Sequence, residues 1–269
     1  MLKTVLLNAL SAISPRLEDK IKSHRIRRHI RRFERSVGLP SLQAAYLAEY
    51  GNAVQTGPFQ GLRYLPYACG STHVPKLLGS YEKELHSVVL QSLSREPKQV
   101  IDVGAAEGYY AIGYAMRLPE ANVIAYDTDR IAQKACSELA RLNGVHGRVC
   151  IEGACTATTL APVLSPRTLV FCDCEGFEYT LLADLDPKIM ASVDLIVELH
   201  QSRETDPRIW FDLKYSATHD VTLIHAKDRD LTESEIKMIA TWPDQDKLLA
   251  VNEFRNDGLL WGYARSRDW

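Results

Sequence analysis

The 269-residue sequence has no apolar run long enough to cross a bilayer as a helix, which excludes a helical membrane span. It has no excess of charge of either sign: the formal net charge of −2 predicts no general affinity for nucleic acid. Its cysteines, Cys69, Cys136, Cys150, Cys155, Cys172 and Cys174, show neither the paired spacing of a zinc site nor the density of a disulfide-stapled scaffold. Cys172 and Cys174 fall on one strand face and are expected to line the core, and the reducing cytoplasm is the compartment this usage implies. There is no P-loop, and no complete G-x-G-x-x-G fingerprint either, because Tyr109 holds the position that wants the third glycine.

What is present is organised around residues 99–113. Val100, Ile101 and Val103, with Gln99 before them, form a short apolar run that reads as a buried parallel strand. Gly104 and Gly108 mark a tight turn, and from Tyr109 the pattern turns helical. Strand, glycine turn and helix open a nucleotide-binding α/β unit. The acidic Asp102 just before the turn is a poor neighbour for phosphate and a good one for an amine or a sulfonium. Asn122–Tyr126 is a second apolar strand ending at Asp127, where a carboxylate suits a pair of ribose hydroxyls. Asp127 or Thr128 could instead cap the helix that follows, with Asp129 serving its first turn.

The run Asp-x-Gly-x-Ala-x-Gly at 102–108 resembles the first motif of class I S-adenosylmethionine-dependent methyltransferases. Four segments in order look like the FkbM-type members of that class: Leu78-Gly-Ser-Tyr-Glu82, the stretch from Val100 to Tyr110, Asp173-Cys-Glu-Gly-Phe-Glu178, and Val197-Glu-Leu-His200. The resemblance covers about residues 77–201 and departs at Glu107, where the family often has a small or amide residue. It implies a Rossmann-like α/β fold with a seven-stranded, mostly parallel sheet whose last strand is antiparallel; the residues ahead of it read as an N-terminal helical extension and a β-hairpin. It further implies S-adenosyl-L-methionine lying across Gly104, Ala105, Ala106 and Gly108. The ribose would sit on Asp127 beside Thr128, and the adenine at Glu152, Gly153 and Ala154. Asp102 would lie near the methionine ammonium, Tyr81 and Glu82 would close that end, and Asp173 would border it.

Three divisions of the chain follow: a helical extension over 1–50, a hairpin and loop covering the site over 51–78, and a methyltransferase domain over 79–269. Residues 1–13 read as a helix packing its leucines rather than a secretory signal. Residues 16–36 carry nine basic side chains with Ile21, Ile26, Ile30 and Phe33 at helical spacing. That basic amphipathic helix offers either a homodimer contact or an anionic surface. Gly38-Leu-Pro40 ends it, Ser41–Tyr50 is helical, 55–64 is a hairpin and 66–75 a loop. Further strands are expected at 148–152, 168–172, 193–197, 221–225 and 259–263, alternating with helices.

Chemistry in such a sheet belongs outside the carboxyl ends of the strands. Those ends hold Asp102, Asp127, Asp173, Glu175, Glu198 and His200. Clustered carboxylates raise one another's pKa unless a cation intervenes. The expected activity is O-methylation of a hydroxyl on a sugar, glycan or secondary metabolite. His200 is the expected general base, its ordinary pKa lying near working pH, with Asp173, Glu175 and Glu198 beside it. Asp173 with Glu198 or His200 could instead hold a divalent Mg²⁺ or Mn²⁺ ion; metal-free base catalysis is the expectation. Glu178 reads as a helix cap. The fourth strand lacks Asn-Pro-Pro-Tyr, so amino-group methylation is not suggested. The competing readings are a nicotinamide-dependent oxidoreductase of similar architecture and a nucleoside-binding member without chemistry.

Overall fold

The computed structural model describes residues 32–202, 205–232, 234–255 and 258–269. The chain forms two compact units, residues 1–49 and 50–269. In the first, the described residues are helical over 32–36 and again in α1, Leu39–Tyr50, after a turn at Val37 and Gly38. The leucine-rich segment 1–13 and most of the basic segment 16–36 lie outside the described residues. No helix among the described residues is long and apolar enough to cross a membrane.

The second unit is built on a sheet of seven strands. These are β1 (Gln99–Val103), β2 (Asn122–Tyr126), β3 (Val149–Glu152), β4 (Thr168–Cys172), β5 (Val193–Glu198), β6 (His219–His225) and β7 (Leu260–Ser266). Their spatial order is 3-2-1-4-5-7-6. β1 pairs in parallel with β2 and β4, β2 with β3, and β4 with β5. β7 runs antiparallel to both β5 and β6. This is the seven-stranded, mostly parallel class I methyltransferase sheet that the sequence implies. The central strands are covered on both faces: every residue of β4 and β5 is buried, Val193 and the apolar runs Leu169–Cys172 and Leu195–Val197 together with Thr168, Asp194 and Glu198.

Ahead of β1 lie α2 (His73–Leu78) and α3 (His86–Ser94), and between the strands run α4 (Tyr109–Arg117), α5 (Arg130–Leu142), α6 (Ala157–Leu160), α7 (Glu178–Ala183), α8 (Pro187–Met190), α9 (Pro207–Tyr215) and α10 (Asp244–Val251). Asp129 caps α5 by accepting from the Ile131 N–H, so the cap of that helix is Asp129 and neither Asp127 nor Thr128. The parallel core packs Ile101, Val170, Leu195 and Val197 from the strands against Leu181, Leu182 and Phe211 from the helices.

Ahead of β1 the structure departs from the sequence reading in two places. The hairpin at 55–64 is reduced to a single antiparallel bridge, Ala53 with Arg63. Pairing stops at its base, where the Val54 N–H donates to Leu62 O; beyond it the Gln55 N–H donates to Leu77 O at 2.8 Å and the Thr56 side-chain Oγ1 to Leu78 O at 2.6 Å. Phe59 at its tip packs edge-on against Tyr109 and Tyr114 of α4, with ring centroids 5.4 Å away in each case. The expected loop at 66–75 runs directly into α2, whose six residues are all buried.

Candidate active site

The turn after β1 sets the geometry. Gly104 has φ +85°, and a Cβ there would lie 1.7 Å from Asp173 O, so the loops leaving β1 and β4 touch only because this position has no side chain. Asp102 is buried, and its Oδ2 accepts the Ala111 N–H of α4 at 2.9 Å. Burial pushes its carboxyl up to about 7, with Asp173 and Asp127 adding to the rise. Asp127 turns back on the same turn: Oδ2 accepts the Ala106 N–H at 2.8 Å and Oδ1 the Asp129 N–H at 2.7 Å. Each oxygen keeps a further lone pair for a ligand. Ala106, Glu82 and Glu175 hold φ of 48°, 47° and 57°, a left-handed conformation that non-glycine residues adopt at a cost. All three line one cleft.

That cleft, of about 810 Å³, opens outside the carboxyl ends of β1, β2, β4 and β5, where the strand order reverses. It is bordered by Tyr81, Glu82, Asp102, Gly104, Ala105, Ala106, Asp127, Thr128, Gly153, Ala154, Asp173, Glu175, Glu198 and His200. Two residues of the expected set are not at its wall. Gly108 sits behind the turn, where its position is closed by Cys136 Sγ, and Glu152 is an exposed strand end whose carbonyl takes the Asp127 N–H. Cys174 also differs from expectation. It lies past the end of β4 and borders the cleft, while Cys172 is in the core, their sulfurs 3.5 Å apart. All six cysteines are free thiols.

On the acceptor side, Asp173, Glu175, Glu198 and His200 converge. His200 Nε2 lies 3.6 Å from Glu175 Oε2 and 3.9 Å from Asp173 Oδ1, too far for hydrogen bonds. Its other nitrogen, Nδ1, is 3.1 Å from Glu178 Oε1. Burial and the charge of Asp173 push Glu198 well up, and burial raises Asp173 too, so the two acids share a proton as a pair. Burial works to lower His200, but the hydrogen bond and charge of Glu178, then Asp173 and Glu175, outweigh it and raise its pKa. Asp173 Oδ1 is buried without a hydrogen-bond partner.

At the opposite end a polar network arrives from distant sequence. Arg255 binds Glu82 and donates from Nη2 to the Tyr81 hydroxyl at 3.0 Å, while its Nη1 is buried without a hydrogen-bond partner. Glu253 Oε1 accepts the Glu82 N–H at 3.1 Å and sits 2.9 Å from Arg229 Nη2; burial lifts its carboxyl to about 7. Below them, Lys76 Nζ meets Glu107 Oε1 at 2.6 Å, both side chains buried. Glu107 also accepts the Tyr64 hydroxyl at 2.5 Å and the Cys69 N–H at 3.0 Å. Lys76, Glu253, Arg255 and Phe177 all border the cleft and were not singled out as site residues. The partners of the first three lie far off in sequence, and no local spacing marks them, while Phe177 stood unmarked inside the Asp173–Glu178 motif. Glu178 is different: it stood inside the Asp173–Glu178 motif, where the helix-cap reading hid its contact with His200.

The residues suit a zwitterionic, sulfonium-bearing ligand such as S-adenosylmethionine. Acids predominate around the cleft, and residues at its wall carry buried atoms without a hydrogen-bond partner: Ser71 Oγ, the anionic Asp173 Oδ1 and Glu253 Oε2, and the cationic Arg255 Nη1. A divalent metal fits less well. Among the described residues Asp173, Glu175 and His200 place ligand atoms within 4.8 Å of one another. That set offers two carboxylates and an imidazole, with the Glu175 side chain 91% exposed, where Mg²⁺ takes six oxygen-rich ligands in near-octahedral order.

The family model of the ribosomal protein L11 methyltransferase (PrmA) matches residues 85–164, less than a third of the chain. No curated protein matches the sequence. Among solved structures, the O-methyltransferase TomG from Streptomyces achromogenes, involved in tomaymycin synthesis and solved with SAM, is 15% identical. The match covers 66% of this chain and 77% of that one, at a TM-score of 0.42. A precorrin-6y C5,15-methyltransferase from Geobacter metallireducens is 11% identical over 67% of this chain and 88% of that one, at a TM-score of 0.46. A methyltransferase from Geobacter sulfurreducens is 16% identical over 66% and 75%, at a TM-score of 0.41. These names span several kinds of methyl acceptor. The likeness is to methyltransferases broadly, and the FkbM-type assignment rests on the motifs of the sequence alone.

Proposed function

We propose that the protein is an S-adenosylmethionine-dependent O-methyltransferase acting on a hydroxyl of a sugar, glycan or secondary metabolite. One observation carries the reading: His200, with Nε2 on the side of Asp173 and Glu175, borders the same cleft as the Gly104–Ala106 turn and Asp127. When bound, S-adenosylmethionine supplies a methyl group already activated by its sulfonium. Asp127 would hold the ribose, Gly153 and Ala154 the adenine edge, and Glu82, Asp102 and Arg255 the amino-acid end. What remains for the chain is to align the acceptor, exclude water and take a proton. An alcohol is a weak nucleophile until its proton has somewhere to go, and His200 Nε2 is the base offered for it. Glu198 and Asp173, sharing a proton between them, would orient the acceptor's neighbouring hydroxyls.

The oxidoreductase reading is less well supported. Tyr109, at the third glycine position, is buried and packed between aromatic rings, and the carboxylate of Asp102 lies where a pyrophosphate would approach. Calorimetry with S-adenosylmethionine, S-adenosylhomocysteine and NAD tests the proposal. Both sulfur ligands are expected to bind and NAD to fail. Asp127→Ala is expected to cost about 1.5–3 kcal/mol of that affinity, the worth of hydrogen bonds to a charged group. Binding of NAD in preference to both, or affinity unchanged in Asp127→Ala, would contradict it.

A further inference from the structure

Glu178 is not among the residues that border the cleft, yet both oxygens of its carboxylate are engaged. Its side chain is fully buried at the first position of α7. Oε2 accepts the Gly176 N–H at 2.9 Å, and the Cys174 thiol lies 3.6 Å from it. Oε1 accepts the His200 backbone N–H at 3.0 Å and lies 3.1 Å from His200 Nδ1. The next residue, Tyr179, donates its hydroxyl to His200 O. One turn of helix therefore holds the histidine by its N–H, its carbonyl and its ring, and Trp210 packs edge-on against Tyr179 with centroids 4.7 Å apart.

Two backbone N–H groups with no proton to give up point at this carboxyl, so it must accept, and a protonated Glu178 would waste one of its oxygens. Burial alone would raise its pKa; the hydrogen bonds from His200 and the backbone outweigh that and hold it below the ordinary glutamate value. An ionised Glu178 has no hydrogen to donate, so at Nδ1 the hydrogen belongs to the imidazole.

We infer that Glu178 is a positioning residue that fixes His200 as the Nδ1–H tautomer and thereby turns the Nε2 lone pair to the acceptor. This rests on the reading of His200 as the base. On proton transfer, Nε2 gains the acceptor's proton and the ring becomes an imidazolium. Its Nδ1–H remains on Glu178, whose charge offsets the new one; no proton passes to Glu178. The other titratable groups that face the ring are Asp173 and Glu175 at the Nε2 side, with Glu198 coupled to Asp173. Both facing oxygens stand beyond hydrogen-bond reach of Nε2, so neither competes for the tautomer.

The test is long-range ¹H–¹⁵N correlation of ¹⁵N-histidine-labelled protein loaded with S-adenosylhomocysteine, the His200 signals identified by their loss in His200→Gln. Wild type is expected to show a protonated Nδ1 and an unprotonated Nε2 in the neutral ring. Glu178→Gln is expected to abolish that preference and bring the His200 titration down towards the ordinary histidine value, with Glu178→Asp intermediate. Affinity for S-adenosylhomocysteine should stay within about twofold while kcat falls by on the order of 10-fold or more. A neutral His200 carrying its hydrogen on Nε2 in the wild type would overturn the inference, and so would Glu178→Gln with tautomer and titration unchanged. The wild-type tautomer decides the matter even where the variant fails to fold. Absence of any cofactor binding would count against the proposed function and leave the tautomer result standing.

Discussion

Asp102 is asked to do two things with one carboxyl. Oδ2 ties the first turn of α4 to the end of β1, and the buried group has a pKa raised to about 7 by desolvation. A cationic ligand favours the charged form, so binding below that pH must release a proton. The affinity ratio between wild type and Asp102→Asn for S-adenosylmethionine is therefore expected to rise as pH rises. It should climb by up to about tenfold per pH unit below 7 and level off above. Calorimetry between acid and alkaline pH measures it, and the ratio removes the ligand's own amine titration and that of Glu253. A ratio independent of pH would mean that Asp102 stays charged in the free protein or does not meet the cation. The sequence marked Asp102, Asp127, Asp173 and His200 because each lies at or just past the end of a strand, and strand ends are readable from apolar runs. It did not show that Asp127 already accepts two backbone N–H groups, since turn geometry is not encoded in spacing.

At the scale of elements, Glu107 explains itself. A carboxylate inside the glycine turn looked like a departure from the family pattern; in the structure it anchors the segment that precedes the sheet. Tyr64, Cys69 and Lys76 all close on it. Lys76→Met is expected to destabilise the fold by about 3–5 kcal/mol, because it strands a buried carboxylate. Lys76→Met combined with Glu107→Gln should recover most of that loss, since paired removal leaves no buried charge. Denaturant unfolding of the single and double variants checks this, and a double variant no more stable than Lys76→Met would contradict it. The five parallel strands and their helices were legible because an apolar run and a 3.6-residue period are local signals. The hairpin was misread for the opposite reason. Its turn residues were local and correct, but the Gln55 backbone N–H and the Thr56 hydroxyl are claimed by residues more than twenty positions on. The 253–255 stretch was invisible as site for the same reason: it matters only through Glu82, some 170 positions earlier.

For the molecule as a whole, the strand order places one loop from each of β1, β2, β4 and β5 around a single opening, at the point where the sheet reverses direction. One half of the sheet supplies the Gly104–Ala106 turn and Asp127, the other a histidine on a buried carboxylate. Fold alone does not choose a reaction; the juxtaposition of these two halves does. The most direct test of the account is transfer of labelled methyl from S-adenosylmethionine to a panel of glycosides and phenols after chelation, in wild type and His200→Ala. The account predicts transfer that is insensitive to chelator and falls by about 10²-fold or more without His200. Activity lost to chelator and restored by Mg²⁺, or full activity in His200→Ala, would contradict it.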